Sequence, residues 1–304
     1  MKKKIYILTS NFSVNKNHIK KIFSNKNFLI INACKGSKYS ESEIVKKFND
    51  AYGIIAGTEK YSKFVINNLK ELKFISRCGV GVDNIDLEEL NKKKIKLITT
   101  KNSHIKIVAE HSIAGLFCAL KKIIDFNFQV KQNIWKKEFI NTLYYKKIGF
   151  YGYGKVAQQI KKNLETFKAD FYYYDINKNY KNSRIKKVTS LKKLFSKVDI
   201  VFICASLTNN NKCINSEILK HSKKNNLIIN TSRGELINDY DLIKYLKKNT
   251  QSYYFADVFT KEPYYGPLLK LKNTIFTPHV STYEYGFRLR MEIEALINLS
   301  KIVK

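Results

Sequence analysis

The segment Ile148-Gly149-Phe150-Tyr151-Gly152-Tyr153-Gly154-Lys155-Val156-Ala157 limits the fold of this chain more than any other. An apolar strand runs into two glycines, and a helix opens directly after them. Gly152 can supply a tight turn. Gly154 lets the backbone come close to a phosphate, and Ala157 is small enough for the helix to pack on its strand. The N–H groups at such a helix start are unpaired and carry partial positive charge, which suits a pyrophosphate. Asp175 stands 23 residues after Gly152, at the end of the next predicted strand, Phe171 to Tyr174. A carboxylate there accepts from ribose hydroxyls and repels a 2′-phosphate, so the pair points to NAD rather than NADP. The plainer reading of Asp175 is a helix cap or turn residue.

The rest of the chain agrees with a parallel α/β class, because strand and helix patterns alternate. Strands are expected at Ile5 to Thr9, Gly53 to Ala56, Phe74 to Arg77 and Ile95 to Thr99. A helix from Ser40 to Phe48 starts at a serine cap with Glu43 three residues on, a capping-box pattern. Ile105 to Lys131 keeps an apolar period with no proline and one glycine, and reads as one long helix. A second α/β run follows. Its strands are Lys147 to Tyr151, Asp170 to Tyr174, Ile200 to Cys204, Leu227 to Asn230, Tyr254 to Ala256 and Thr274 to Thr277. Glu284 to Lys304 is expected to be helical, with Met291, Ala295, Leu296 and Leu299 on one face.

Composition removes several alternatives. No apolar run in the 304 residues approaches the roughly 18–20 residues of a membrane span. The start, Met1-Lys2-Lys3-Lys4 followed by four apolar residues, is too short for a signal-peptide core. Cys34, Cys78, Cys118, Cys204 and Cys213 lack metal or disulfide spacing, so a reducing cytoplasm and no metal site are expected. The net charge of +31 invites a nucleic-acid reading. Yet only five of the 56 basic residues are arginine, and the lysines are spread along the whole chain. Base readers and phosphate clamps favour the planar arginine fork. A solvated lysine surface is therefore expected, with no nucleic-acid or membrane partner.

Three late residues carry the chemistry. Arg233 follows a predicted strand in Asn230-Thr231-Ser232-Arg233-Gly234, where a guanidinium can grip a carboxylate at two points and polarise a carbonyl. His279 follows Pro278 at another strand end and suits proton exchange near neutrality. Glu262, in Asp257-Val258-Phe259-Thr260-Lys261-Glu262-Pro263, can accept from the second ring nitrogen and fix the tautomer. Each alone could be a surface or structural residue. Three at strand ends of one sheet match the place where ligand crevices form. His18, His104, His111 and His221 lack a matching partner in sequence, and His111, inside the long helix, reads as structural.

Several motifs in order give a more specific signal. Arg77-Cys78-Gly79-Val80-Gly81-Val82-Asp83-Asn84-Ile85-Asp86, Val108-Ala109-Glu110, Trp135, the Gly152 turn, Arg233, Asp257, Glu262 and His279 together resemble the D-isomer-specific 2-hydroxyacid dehydrogenases, most closely the phosphoglycerate-oxidising branch. The resemblance spans nearly the whole chain. It implies a flavodoxin-like substrate domain at residues 1–100 and 283–304 and a Rossmann NAD domain at 101–282, the latter forming a homodimer. It also implies roles. Cys78, Gly79 and Val80 would meet the substrate, with Gly79 and Val80 amides and Arg233 on its carboxylate. Gly152, Tyr153, Gly154, Lys155, Val156, Asp175, Cys204, Ala205, Thr231, Ser232, Arg233, Asp257 and His279 would line the cofactor. Lys60 stands near the place where the phosphoglycerate enzymes often carry an arginine for the phosphate. Thr99-Thr100-Lys101-Asn102 replaces a motif common before the interdomain helix.

The expectation is a cytoplasmic, NAD-dependent enzyme moving hydride to or from C2 of a D-2-hydroxy or 2-keto acid, with 3-phosphoglycerate as the leading substrate. The alternatives are another acid, such as glyoxylate or a sugar-derived one, and a non-catalytic NAD-sensing binding protein.

Overall fold

In the computed structural model the chain divides into two compact units, residues 1–104 with 283–304, and residues 105–282. The structure describes residues 2–23, 27–101, 104–176, 180, 184–207 and 212–302. Asn102 and the last two residues of the expected C-terminal helix lie outside these.

The first unit holds β1 (Lys3–Ile7), α1 (Lys16–Ile22), β2 (Phe28–Asn32), α2 (Glu41–Lys47), β3 (Ala51–Ala56), α3 (Lys63–Asn68), β4 (Phe74–Arg77), α4 (Leu87–Lys92) and β5 (Lys96–Thr99). Its parallel sheet has the order β2-β1-β3-β4-β5, the flavodoxin-like arrangement. The strand Phe28–Asn32 is an addition to the sequence reading. It lies at the sheet edge with no residue fully buried, so it lacks the strong apolar signature of the inner strands. The Ser40 cap is present: Ser40 N–H donates to Glu43 Oε2 at 2.8 Å, and Glu43 N–H donates to Ser40 Oγ at 3.3 Å.

The second unit holds α5 (Ile105–Leu120), α6 (Ile123–Lys131), β6 (Lys147–Tyr151), α7 (Lys155–Leu164), β7 (Asp170–Tyr174), β8 (Lys186–Lys187), α8 (Leu191–Lys197), β9 (Ile200–Ile203), α9 (Ser216–Leu219), β10 (Leu227–Asn230), α10 (Asp239–Lys248), β11 (Tyr253–Ala256) and β12 (Thr274–Phe276). The single helix expected from Ile105 to Lys131 is in fact two. Lys122 adopts a left-handed conformation, φ 50°, and starts α6. The apolar period runs across this break without glycine or proline, which is why the sequence hides it. The parallel sheet runs β12-β11-β10-β9-β6-β7-β8. Its inner strands are buried on both faces, as in any sheet covered by helices on either side.

The chain then returns to the first unit as α11 (Tyr285–Ile302). Met291, Ala295, Leu296 and Leu299 pack with Ile5, Ile7 and Ile55, as their helical spacing predicts. Glu292 lies among them at 0% exposure. It is tolerated because its oxygens accept from Ser13 N–H at 2.6 Å and Arg288 Nε–H at 2.8 Å.

Candidate active site

In the second unit the strand order reverses at β6, which has β7 on one side and β9 on the other. Ligand crevices open at the carboxyl ends of strands at such a point. The glycine turn sits there. Gly152 has φ +81°, and a Cβ on it would stand 2.6 Å from the backbone N and Cα of Ala205, so only glycine fits between the loops after β6 and β9. Its N–H donates to the Tyr174 carbonyl at 2.8 Å. Tyr153 N–H donates to Asp175 Oδ2 at 2.8 Å, and the Tyr153 ring stacks on Tyr173 at 4.9 Å. Asp175 is thus drawn against the turn, and the turn-residue role is realised alongside whatever else it binds.

Gly154 opens α7. A Cβ there would meet nothing within 4 Å, no side chain caps the helix, and no acidic residue lies in its first turn. Lys155 and Val156 supply that first turn. Open space in front of an uncapped helix start suits an anion. The opposite wall is tied together by hydrogen bonds. Ser232 Oγ donates to the Ala205 carbonyl. Ser112 Oγ donates to the Val108 carbonyl at 2.7 Å, so Thr231 Oγ1, 2.7 Å from Ser112 Oγ, must be the donor in that pair. Burial pushes the Cys204 thiol up to about 12, so it lines the wall as an uncharged group.

Arg233 follows β10. The buried Asn230 shapes its loop, donating from Nδ2 to the Arg233 carbonyl at 3.0 Å and accepting from Ser232 N–H at 3.1 Å. Arg233 Nη1 donates to the Ser232 carbonyl at 2.7 Å. Gly234 presses on the loop after β11: a Cβ there would lie 2.1 Å from the Phe259 carbonyl carbon. That contact holds the Arg233 and Glu262 loops side by side. Glu262 meets His279, whose Nδ1 is 2.9 Å from both carboxylate oxygens. A carboxylate only accepts, so Nδ1 carries the proton and Nε2 is the basic nitrogen of the neutral ring.

Asp257, at the end of β11, has 0% exposure. Its Oδ1 accepts from Thr277 Oγ1 at 2.6 Å and Val280 N–H at 2.8 Å, and its Oδ2 accepts from Ser281 N–H at 2.9 Å. Burial alone would raise its pKa. The His111 ring 3.5 Å from Oδ1 and the bonds from Thr277, Val280 and Ser281 outweigh burial and hold it at about 2. The carboxylate therefore grips the turn that carries His279. His111 is the residue the sequence missed: its Nε2 lies 3.0 Å from Thr277 Oγ1 and 3.5 Å from Asp257 Oδ1.

In the first unit, the backbone N–H groups of Cys78 and Gly79 already have acceptors within the fold. Cys78 points into the core beside Ile5, Ile55 and Leu296, its N–H donates to the Ala56 carbonyl, and its carbonyl accepts from Arg77. The residue has no backbone donor left for a carboxylate, and burial pushes its thiol up to about 11. Gly79, with φ +138°, gives its N–H to Thr100 Oγ1 at 2.9 Å. Val80 is exposed. Lys60 Nζ is 3.6 Å from Glu41 Oε2 at the surface.

Residues 113–281, more than half of the chain, match the family described as "D-isomer specific 2-hydroxyacid dehydrogenase, NAD binding domain". The chain belongs to the D-isomer specific 2-hydroxyacid dehydrogenases. It is an NAD-dependent oxidoreductase. A glyoxylate reductase of Pyrococcus horikoshii is 29% identical over 81% of this chain and 78% of its own length. A D-3-phosphoglycerate dehydrogenase of Methanocaldococcus jannaschii is 32% identical over 79% of this chain, which spans 47% of that protein. A glyoxylate reductase structure from Paecilomyes thermophila superposes with a TM-score of 0.89 at 20% identity, covering 100% of this chain and 96% of that one. Among the described residues, no helix of this dehydrogenase is long and apolar enough to cross a membrane.

Proposed function

We propose that this dehydrogenase interconverts a small unphosphorylated 2-keto acid of the glyoxylate class and its 2-hydroxy acid, with His279 as the acid/base. The observation that carries the reading is the Glu262–His279 pair, which leaves Nε2 as the exchanging atom. NAD, when bound, supplies the hydride acceptor and NADH the donor. In oxidation His279 Nε2 takes the hydroxyl proton as hydride leaves C2, and Glu262 stabilises the imidazolium. In reduction the imidazolium returns that proton to the C2 oxygen. Arg233 holds the substrate carboxylate and steadies charge at the C2 oxygen. Lys155 and Val156 amides take the pyrophosphate, Asp175 the ribose hydroxyls, and Asp257, Thr231 and Ser232 support the nicotinamide side.

Two observations favour the unphosphorylated class. Lys60, the one cation that the sequence offered for a phosphate, is paired with Glu41. The Pyrococcus relative that covers most of the chain is named for glyoxylate. A second reading, 3-phosphohydroxypyruvate, is favoured by the Methanocaldococcus relative. NADH oxidation against glyoxylate, hydroxypyruvate, pyruvate and 3-phosphohydroxypyruvate decides between them. Preference for the phosphorylated acid overturns the substrate. Silence on all four with NADH bound favours a binding protein. His279→Ala is expected to lose about 10²–10⁴-fold in kcat while keeping NADH affinity; normal turnover overturns the mechanism.

The dimer also belongs to this reading. Residues 123–145 expose Ile123, Phe128, Trp135, Phe139, Ile140 and Tyr145, with Phe139 fully bare. Large apolar side chains left exposed along one stretch of chain suit an interaction site, and a second copy of the chain is the expected partner. A monomer by sedimentation equilibrium at micromolar protein refutes it.

A further inference from the structure

The proton-transfer chemistry above makes no use of His111, yet His111 stands at one end of the bonds that hold His279. Its ring lies on α5 and packs against Phe255 of β11, 5.6 Å between centroids. The helix is locked to that strand one turn further on: a Cβ on Gly115 would stand 2.5 Å from the Phe255 ring. His111 is therefore a fixed point.

The direction of each bond follows from proton counting. Thr277 has a single hydroxyl proton, and it goes to Asp257 Oδ1 at 2.6 Å, because an ionised carboxylate can only accept. Thr277 Oγ1 must then accept from His111 Nε2 at 3.0 Å, so His111 carries its proton on Nε2. The chain of donors runs from His111 to Thr277 to Asp257, and His111 Nε2 also lies 3.5 Å from Asp257 Oδ1 directly. Asp257 in turn receives the N–H groups of Val280 and Ser281, the two residues after His279. His279 itself sits at φ +55°, and its N–H donates to the Thr277 carbonyl at 3.0 Å. A left-handed conformation is unfavourable for an L-residue with a bulky side chain and persists only where its surroundings over-determine it. Here both flanks of His279 are tied to Asp257, and Asp257 is tied through Thr277 to α5.

We infer that His111 is a positioning residue for the reaction: its Nε2–H anchors the Thr277–Asp257 pair and thereby fixes the His279 turn for proton exchange. The inference rests on the reading of His279 as the acid/base. It adds a histidine that touches neither substrate nor cofactor in that reading and acts through two other side chains.

The test compares His111→Leu, which removes the donor at similar bulk, with His111→Gln, whose side-chain amide restores an N–H near the position of Nε2. Steady-state kinetics would separate kcat from the KM values, NADH binding would be followed by fluorescence, and melting would confirm folding. His111→Leu is expected to lose about tenfold in kcat, the rate equivalent of about 1.4 kcal/mol, with NADH affinity within about twofold, because the Gly152 turn is untouched. His111→Gln should recover most of the loss. Unchanged kcat in His111→Leu overturns the inference, as does an equal loss in both variants. An inactive wild type would sink the functional reading instead. The anchoring would then be read from the imidazole resonances of His279 by NMR, which should move in His111→Leu and far less in His111→Gln; resonances identical to wild type in both variants overturn it.

Discussion

Replacing Asp257 with asparagine keeps the shape of the side chain and removes its charge and one acceptor oxygen. Three donors point at this buried carboxylate at hydrogen-bond distance, two on Oδ1 and one on Oδ2. An amide has one oxygen. Whichever way it turns, its NH2 group faces either Ser281 N–H or the Thr277 hydroxyl with Val280 N–H. Two routes give the size of the effect. The fall in pKa from 3.8 to about 2, at 1.36 kcal/mol per unit, corresponds to about 2 kcal/mol. A buried donor left unsatisfied costs about 1–3 kcal/mol. Urea unfolding at pH 7 should therefore show a midpoint lowered by roughly 1 M, given a slope of a few kcal/mol per molar. The pH dependence has a definite sign. The folded-state pKa is depressed, so the ionised form favours the fold. This contribution is complete above the unfolded pKa near 4 and is lost as pH falls from there through about 2. The gap between wild type and Asp257→Asn should shrink over that window. An unchanged midpoint at pH 7 would refute the claim that this carboxylate grips the His279 turn.

Other perturbations report on separate parts. Gly154→Val should raise the KM for NADH at least tenfold without lowering the melting temperature, because the added Cβ meets only open space in front of α7; an unchanged KM would mean that the phosphates lie elsewhere. Leu299→Ala empties a position of 0% exposure in the first unit and should cost about 2–5 kcal/mol in unfolding, and a loss below 1 kcal/mol would show that α11 is not part of that core. Burial pushes all five thiols up, Cys34 and Cys78 to about 11 and Cys204 to about 12. Activity should thus survive iodoacetamide at pH 8, and rapid inactivation would reveal a reactive cysteine.

The sequence carried the parts of this protein that depend on local pattern. The strand Lys147–Tyr151, the Gly152 turn and the start of α7 could be read because a tight turn and an open helix start each demand particular residues within a few positions. Glu262 and His279 could be paired because the chemistry of an oriented imidazole needs a carboxylate. His111 could not be read, since its partners Thr277 and Asp257 lie far downstream and only the packing of α5 on β11 brings them together. The break at Lys122 was hidden because lysine gives no sign that its backbone will turn left-handed. Cys78 and Gly79 looked like a ligand loop, but sheet bonding and Thr100 claim their amides, a tertiary fact with no trace in the local motif.

The return of α11 to the first unit has a consequence for how the molecule is made. Ile5, Ile7 and Ile55 leave the ribosome early, while Met291, Leu296 and Leu299, which cover them, are synthesised after the whole of residues 105–282. Folding during synthesis proceeds by domains, in the order in which each becomes complete. The unit built from the middle of the chain can close first, and the unit that begins the chain must wait with an open apolar face. A nascent chain stalled before residue 285 should bind a hydrophobic dye and chaperones through its amino-terminal segment, and release them once α11 emerges.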